Sequence, residues 1–119
     1  MERVAEIARH AANGESALEA VQLPYNASMR DAATDETQTV YGGRATPLKA
    51  ANELDLYVFT SASLMQGELV DERVEDVPRK GTPAQDALEY ARSTEGVGTA
   101  LVGCSSREHV EENLAVLRR

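Results

Sequence analysis

The sequence has little of what marks a secreted, membrane-spanning or nucleic-acid-binding protein. Its one cysteine, Cys104, excludes an internal disulfide framework. No apolar run approaches the roughly 20 residues that cross a bilayer, and none follows a basic N-terminal segment. Twelve basic residues, of which only two are lysines, stand against 20 acidic ones, so the net charge is −8. We therefore expect a cytoplasmic protein that has neither nucleic acid nor a membrane as its main partner.

The overall composition predicts a single globular domain over residues 1–119. The chain is 42% hydrophobic and 27% charged, which is ordinary for a folded domain of this length. His109 has no partner at the spacing of metal ligands, so no metal site is predicted.

Apolar residues alternate between helical spacing and short strand-like runs, which predicts an α/β chain. The first predicted helix covers residues 1–12, with Val4, Ile7, Ala8 and Ala11 on one face. A strand at 18–23 follows, then a polar loop with a helical turn near 34–39, a helix opened by Thr46 and Pro47, and a strand at 56–60. A long loop at 61–81 leads to a helix opened by the capping box from Thr82 to Gln85 and to a strand at 97–102. The last predicted helix is opened by a capping box from Ser105 to Glu108 and has Val110, Leu114 and Leu117 on one face. Strands that alternate with helices pair in parallel through right-handed crossovers. The sequence thus predicts three consecutive parallel strand-helix units preceded by a helix.

The last third of the chain carries the most specific functional pattern. An apolar strand runs through Gly103 into a helix that begins with serines at 105 and 106. The free N–H groups and the positive dipole end of such a helix point at one spot, which suits a phosphate. The alternative is an ordinary capped helix without a ligand.

Three stretches resemble the cofactor-binding half of the aldo-keto reductases. Residues 21–26, Val-Gln-Leu-Pro-Tyr-Asn, are similar to the sixth strand of that family, where a glutamine at the place of Gln22 binds the nicotinamide carboxamide. An amide can both donate and accept hydrogen bonds, as this contact requires. Without the family pattern, the simpler interpretation is that the Gln22 side chain hydrogen-bonds to a neighbouring backbone group.

The second stretch, Ser-Ala-Ser-Leu-Met-Gln-Gly at residues 61–67, is similar to the family's seventh-strand loop along the pyrophosphate. The resemblance implies cofactor contacts from Ser61, Leu64, Gln66 and Gly67. Ser61 stands where many members stack a tyrosine on the nicotinamide, and Ser63 stands where they carry proline.

The third stretch matches the family's C-terminal motif, which often reads Lys-Ser, four residues, Arg, two residues and Glu-Asn. Glu112 and Asn113 match outright, which implies contacts to the adenine. The positions of the motif's lysine, serine and arginine hold Gly103, Cys104 and His109. The resemblance therefore leaves Ser105, Ser106, Arg107 and His109 to contact the phosphate that distinguishes NADP from NAD. Either cofactor is possible, and NADP is favoured because the family commonly uses it.

The resemblance implies a partial TIM (β/α)8 barrel, since a complete barrel takes about 250 residues and three units are just under half of it. Members of the family reduce aldehydes or ketones with an Asp, Tyr, Lys and His set from the earlier strands. None of that set is matched in this chain, so the resemblance implies no catalytic residue here, and Tyr25 lies outside the catalytic tyrosine's motif. We expect carbonyl reduction only with the missing N-terminal half-barrel.

Two alternatives remain open at this stage. The chain could instead be a non-catalytic half-barrel that binds a nucleotide or pairs with itself or a partner chain. Cys104, at a predicted helix start, reads more readily as a small buried packing residue than as a reactive thiol.

Overall fold

The computed structural model describes residues 1–15, 17–64, 67, 69 and 73–118. Its elements are, in chain order, α1 (Glu2–Ala11), β1 (Ala20–Pro24), α2 (Asp31–Thr34), β2 (Gln38–Val40), β3 (Gly43–Ala45), α3 (Pro47–Glu53), β4 (Tyr57–Ser61), α4 (Pro83–Ser93), β5 (Thr99–Ala100) and α5 (Arg107–Leu114), followed by a 3-10 turn at Ala115–Arg118.

The predicted parallel sheet is confirmed, with β4 between β1 and β5. Gln22 pairs with Phe59, and Phe59 pairs with Thr99. The third strand is shorter than the predicted 97–102, but its pairing continues outside β5: the Gly98 N–H donates to the Val58 carbonyl at 2.9 Å and the Leu101 N–H to the Thr60 carbonyl at 2.8 Å. Consecutive units are therefore neighbours in the sheet.

Two helix starts follow the local capping chemistry that the sequence predicts. Thr46 caps α3 by accepting from the Lys49 N–H, with Pro47 in the first turn. Thr82 and Gln85 form the reciprocal capping box of α4. The apolar sides of α3 and α4 pack on one face of the sheet, where the core residues Leu48, Ala51, Leu56, Val58 and Ala91 are buried together.

The loop between β1 and α3 differs from the prediction. The helical turn lies earlier, at α2, and residues 38–45 form the antiparallel hairpin of β2 and β3. Tyr41 and Gly42 at its turn have φ values of 50° and 81°. Two positive φ values are typical of a type I′ turn, which Asn-Gly or Asp-Gly would have signalled more clearly than Tyr-Gly does.

The second face of the sheet is open. Side chains alternate along a strand, and those on this face include Gln22 and Tyr57, which are exposed, and Phe59, which is half-buried. The Tyr57 and Phe59 rings pack against each other with centroids 4.9 Å apart. This face therefore presents an uncharged aromatic surface.

Several apolar side chains that the sequence predicts on helix stripes lie at the surface. Val4 and Ile7 of α1 are exposed, as are Val110, Leu114 and Leu117 at the C-terminal end; Val116 and Asn113 are the residues that α5 and its extension bury. The radius of gyration is 16.1 Å, against about 13.5 Å for a compact domain of this length. The chain is thus more extended than a closed domain. No helix in the described part of the chain has the length and apolarity to cross a bilayer.

Two glycines have similar backbone conformations but differ in the space available around a Cβ atom. Gly96 and Gly14 have similar φ values of +92° and +95°, but a Cβ at Gly96 would lie 2.5 Å from the Asn52 amide nitrogen, whereas one at Gly14 would meet nothing within 4 Å. The Asn52 amide donates to the Leu48 carbonyl at 2.7 Å and to the Gly96 carbonyl at 3.3 Å.

We expect Gly14→Ala to cost about 1 kcal/mol, the price of a left-handed alanine, and Gly96→Ala to cost about 2–3 kcal/mol because the Asn52 bonds also break. Denaturant unfolding of both variants measures the difference. Equal losses would show that Asn52 moves aside freely.

Candidate functional site

A cleft of about 590 Å³ lies at the carboxyl ends of β4 and β5. Its walls come from residues 62–64 and Gly67 after β4, residues 101–105 after β5, Ala84 of α4, and His109, Glu112 and Asn113 of α5. Because the carboxyl ends of parallel strands share one edge, loops that are far apart in sequence meet there.

Most of the predicted cofactor residues line this one cleft. They are Leu64, Gly67, Gly103, Cys104, Ser105, His109, Glu112 and Asn113. They come from two segments, 61–67 and 103–113, that are far apart in the sequence.

Three of the predicted residues that the structure describes do not line the cleft. Gln22 lies exposed in the middle of β1, on the open face of the sheet, and Ser61 ends β4 opposite Pro24. Ser106 precedes α5 without lining the cleft. Gln66 lies outside the described residues.

The start of α5 differs by one residue from the predicted capping box. Ser106, in an extended conformation, is the cap, and its Oγ accepts from the His109 N–H at 3.2 Å. Ser105 instead places its Oγ 3.3 Å from His109 Nδ1. The box fails because with Ser106 as cap the third helical residue is His109 rather than Glu108. The cap satisfies one N–H of the first turn, and the other first-turn N–H groups have no acceptor within the helix.

Glu112 connects α5 to α4. Its carboxylate accepts a hydrogen bond from the Thr82 hydroxyl, and its carbonyl accepts from the Gln85 amide at 2.9 Å. The capping box of α4 therefore also fixes the wall of the cleft. The carboxylate keeps lone pairs that can accept from a ligand amine.

Asn113 is buried, and its Nδ2 donates to Cys104 Sγ at 3.2 Å. Cys104 itself is exposed. The interpretation of Cys104 as a buried packing residue is therefore wrong, because the chain leaves the sheet before residue 104 and the thiol faces the cleft rather than the core.

Ser63 is not among the predicted site residues; in the sequence it stands out only because it occupies the place where the family carries proline. It is 1% exposed and lines the cleft, and its Oγ has no hydrogen-bond partner in the described structure. A buried hydroxyl without a partner costs about 1–3 kcal/mol. Thr60 Oγ1 is also buried without a partner in the described structure, but of the two residues only Ser63 lines the cleft, where a ligand could complete the bond.

Asn26 holds the turn that carries Ser63. Its side chain is fully buried, donates to the Ala62 carbonyl at 2.9 Å, and accepts from the N–H groups of Ser28 at 2.8 Å and Met29 at 2.7 Å. Ala62 has a φ of 58°, a conformation that alanine rarely adopts. The turn is therefore strained and is held in place from β1. In the sequence Asn26 stands only as the last residue of the stretch that resembles the family's sixth strand, with no role of its own.

Tyr25 does not have the surroundings of a proton donor. It is buried, stacks on Tyr90 with centroids 6.0 Å apart, and its hydroxyl lies 3.0 Å from Thr94 Oγ1. Burial and the neighbouring Tyr25 raise the pKa of Tyr90 above its ordinary value, partly opposed by Arg30. The pair is a packing contact between the end of β1 and α4.

The cleft contains little positive charge. Among its described residues His109 is the one basic side chain, and Arg107 pairs with Glu111 at 2.8 Å on the exposed side of α5. No cluster of three or more potential metal ligands occurs in the described ranges of the chain. Recognition of an anion here therefore falls to N–H and O–H donors.

Asp86 anchors the segment that returns from the cleft to α4. It is 4% exposed and accepts from the N–H groups of Lys80 at 2.9 Å and Gly81 at 2.8 Å and from the Arg73 guanidinium. Burial alone would raise the pKa of Asp86, but these donors together hold it below its ordinary value. A depressed pKa means that the carboxylate stabilises the fold above its unfolded pKa and that this stability is lost as the pH falls through the folded pKa.

We expect Asp86→Asn to cost about 1–3 kcal/mol at pH 7. The difference from the wild type should shrink as the pH falls below about 4, the ordinary pKa of aspartate, towards the lower pKa of the folded protein, because the stabilising effect of the wild-type carboxylate is lost over that range. Urea unfolding at a series of pH values measures this. Glu89→Gln, which removes an exposed pair with Arg92 at 2.8 Å, is the control and should cost under about 0.5 kcal/mol. A pH-independent loss in Asp86→Asn would contradict the anchoring role of the carboxylate.

No protein-family model matches the chain, and no curated protein matches it. The resemblance to aldo-keto reductases stays a prediction that rests on the motif residues and their positions.

Proposed function

We propose that the chain is the cofactor-binding half of an aldo-keto reductase-like oxidoreductase, which reduces aldehydes or ketones with NADP, or with NAD, when its barrel is complete. The observation that carries the proposal is the convergence on one cleft of residues predicted from two distant motif segments, 61–67 and 103–113. Among the described strands β1 and β5 each pair with β4 alone, and a half-barrel with an open inner face is consistent with the proposal.

The residues present fit the phosphate end of a dinucleotide. The orphaned Ser63 hydroxyl and the first turn of α5 offer O–H and N–H donors at one cleft. Glu112 and Asn113 stand deeper on α5, where a carboxylate and an amide can bind the adenine edge. The dinucleotide would supply the hydride. The groups of this chain would bind and orient it.

Gln22 would serve the other end of the cofactor. It is exposed on the open face of β1, next to Phe59 of β4. On this proposal the nicotinamide lies over the open face, and the proton donor comes from the other half of the barrel, because Tyr25 is engaged with Thr94. Alone, the chain binds without turning over.

A titration of the full chain with ADP, followed by amide NMR, tests the site. We expect shifts concentrated at Gly67, at residues 103–106 and at Glu112 and Asn113, and we expect nicotinamide mononucleotide to shift Gln22 more than α5. Adenosine 2′,5′-bisphosphate replaces ADP to compare NADP-like with NAD-like binding. Shifts scattered over the acidic surface would overturn the assignment.

Ser63→Ala provides a sharper test, because it removes a buried hydroxyl that lacks a partner. The variant should be as stable as the wild type or more stable by up to about 1 kcal/mol, while its affinity for ADP falls about five- to tenfold through loss of one hydrogen bond. Thr60→Val is the matched control, since Thr60 is also fully buried with an unpartnered Oγ1 but does not line the cleft. Equal ADP affinity in all three proteins would exclude Ser63 from the site.

The second candidate function is a non-catalytic half-barrel that pairs with itself or with a partner chain. It is favoured by the accessible surface of 7565 Å², against about 6,300 Å² for a closed monomer of this size. The excess includes the open aromatic face and the exposed apolar side chains of α1 and α5. Exposure on this scale is typical of an interface.

Self-pairing predicts a dimer whose equilibrium depends on concentration. Tyr57→Glu, which places a charge on the open face, should shift the chain toward monomer in analytical ultracentrifugation. Tyr41→Glu is the control, because Tyr41 is 72% exposed at the hairpin turn, away from that face. A wild-type chain that stays monomeric and binds no hydrophobic dye would contradict both the self-pairing and the half-barrel hypothesis.

A further inference from the structure

Cys104 is the one thiol of the chain, and it stands on the wall of the cleft. Its side chain is exposed, and the buried Asn113 amide donates to its sulfur at 3.2 Å. Asn113 is buried on the cleft wall, and its hydrogen bond places the Cys104 sulfur at the cleft, where the exposed thiol is open to reagents from solvent.

Ser63 is a second polar group at this cleft, independent of the cysteine, whose hydrogen-bonding capacity a ligand would satisfy. Its hydroxyl is buried without a partner on the same cleft wall. Because Cys104, Ser63 and α5 line the same cleft, a group attached to the Cys104 sulfur that extends into it takes up space that a ligand there would use. Cleft occupancy and the chemistry of the thiol are coupled by volume alone.

We propose that Cys104 is a reversible thiol-modification site that controls access to the cleft, with a low-molecular-weight disulfide as the modifying reagent. This inference rests on the proposed nucleotide site. The thiol gives its proton to solvent, and its sulfur attacks one sulfur of the disulfide. A bond forms between Cys104 and that sulfur, the reagent's own S–S bond breaks, and the other half leaves as a thiolate that takes up a proton. The cysteine sulfur is oxidised as the departing sulfur is reduced, so no other oxidant is needed.

The test measures the reaction of the full chain with an aromatic disulfide through the absorbance of the released thiolate. Because the chain has a single cysteine, every event is at Cys104. ADP at ten times its own dissociation constant should slow the reaction about tenfold, in proportion to the free sites that remain. N-acetylcysteine under the same conditions is the control, and its rate should not respond to ADP.

The reverse direction is measured by ADP titration of the modified chain. Affinity should fall at least about tenfold and return on reduction with dithiothreitol. In Cys104→Ala, treatment with the disulfide should leave the variant's own ADP affinity unchanged. Equal ADP affinity in the modified and reduced chains, or a labelling rate indifferent to bound ADP, overturns the inference and leaves the nucleotide site standing. Failure of the reduced chain to bind ADP overturns the proposed function and this inference together.

Discussion

The parallel hydrogen bonds on both sides of β4 are the constraint on which the rest of the structure depends. They align the end of β4 with Pro24 on one side and hold Ala100 beside Thr60 on the other. Every loop that forms the cleft leaves the sheet at this edge. Without that register, the segment carrying Ser63 and the segment carrying Cys104 would have no reason to meet, because about 40 residues separate them.

The loop after β4 at the cleft is held by hydrogen bonds but contains two features that destabilise the fold. Asn26 makes three hydrogen bonds to backbone groups and thereby fixes the turn after β4. That turn contains an alanine with positive φ and a serine hydroxyl without a partner. Both features oppose folding by amounts on the order of 1 kcal/mol. Their occurrence together, at the loop where the sequence predicts pyrophosphate contacts, is the pattern expected of a binding site that gives up stability.

Features with local causes could be predicted from the sequence. The starts of α3 and α4 follow from Thr46 and Thr82, whose caps involve residues within three positions. The parallel sheet follows from the alternation of strands and helices. The hairpin at residues 38–45 was missed because its turn lacks the usual residues, and the cap of α5 was displaced by one position because two adjacent serines compete for it.

The features that could not be predicted from the sequence depend on long-range contacts. The apolar stripes of α1 and α5 have the right spacing to be buried, but spacing does not tell whether an element exists to cover them. Likewise, Glu112 was predicted from its motif, while its bond to Thr82 depends on how α4 and α5 pack. The nucleotide-binding role of the cleft remains a prediction, since neither packing nor charge identifies a ligand by itself.

The open face of the sheet has a calorimetric consequence. The heat capacity change of unfolding grows with the apolar surface that unfolding exposes, and a closed domain of this length would show roughly 1.4–1.8 kcal/mol/K. Here Tyr57 is already 47% exposed in the folded chain, as are Val4, Ile7 and Leu117 to larger degrees. The isolated chain therefore has a shallow stability curve. A partner that covers this surface makes the stability curve of the complex steeper. Part of the heat capacity change then belongs to the association, so the binding free energy itself depends on temperature.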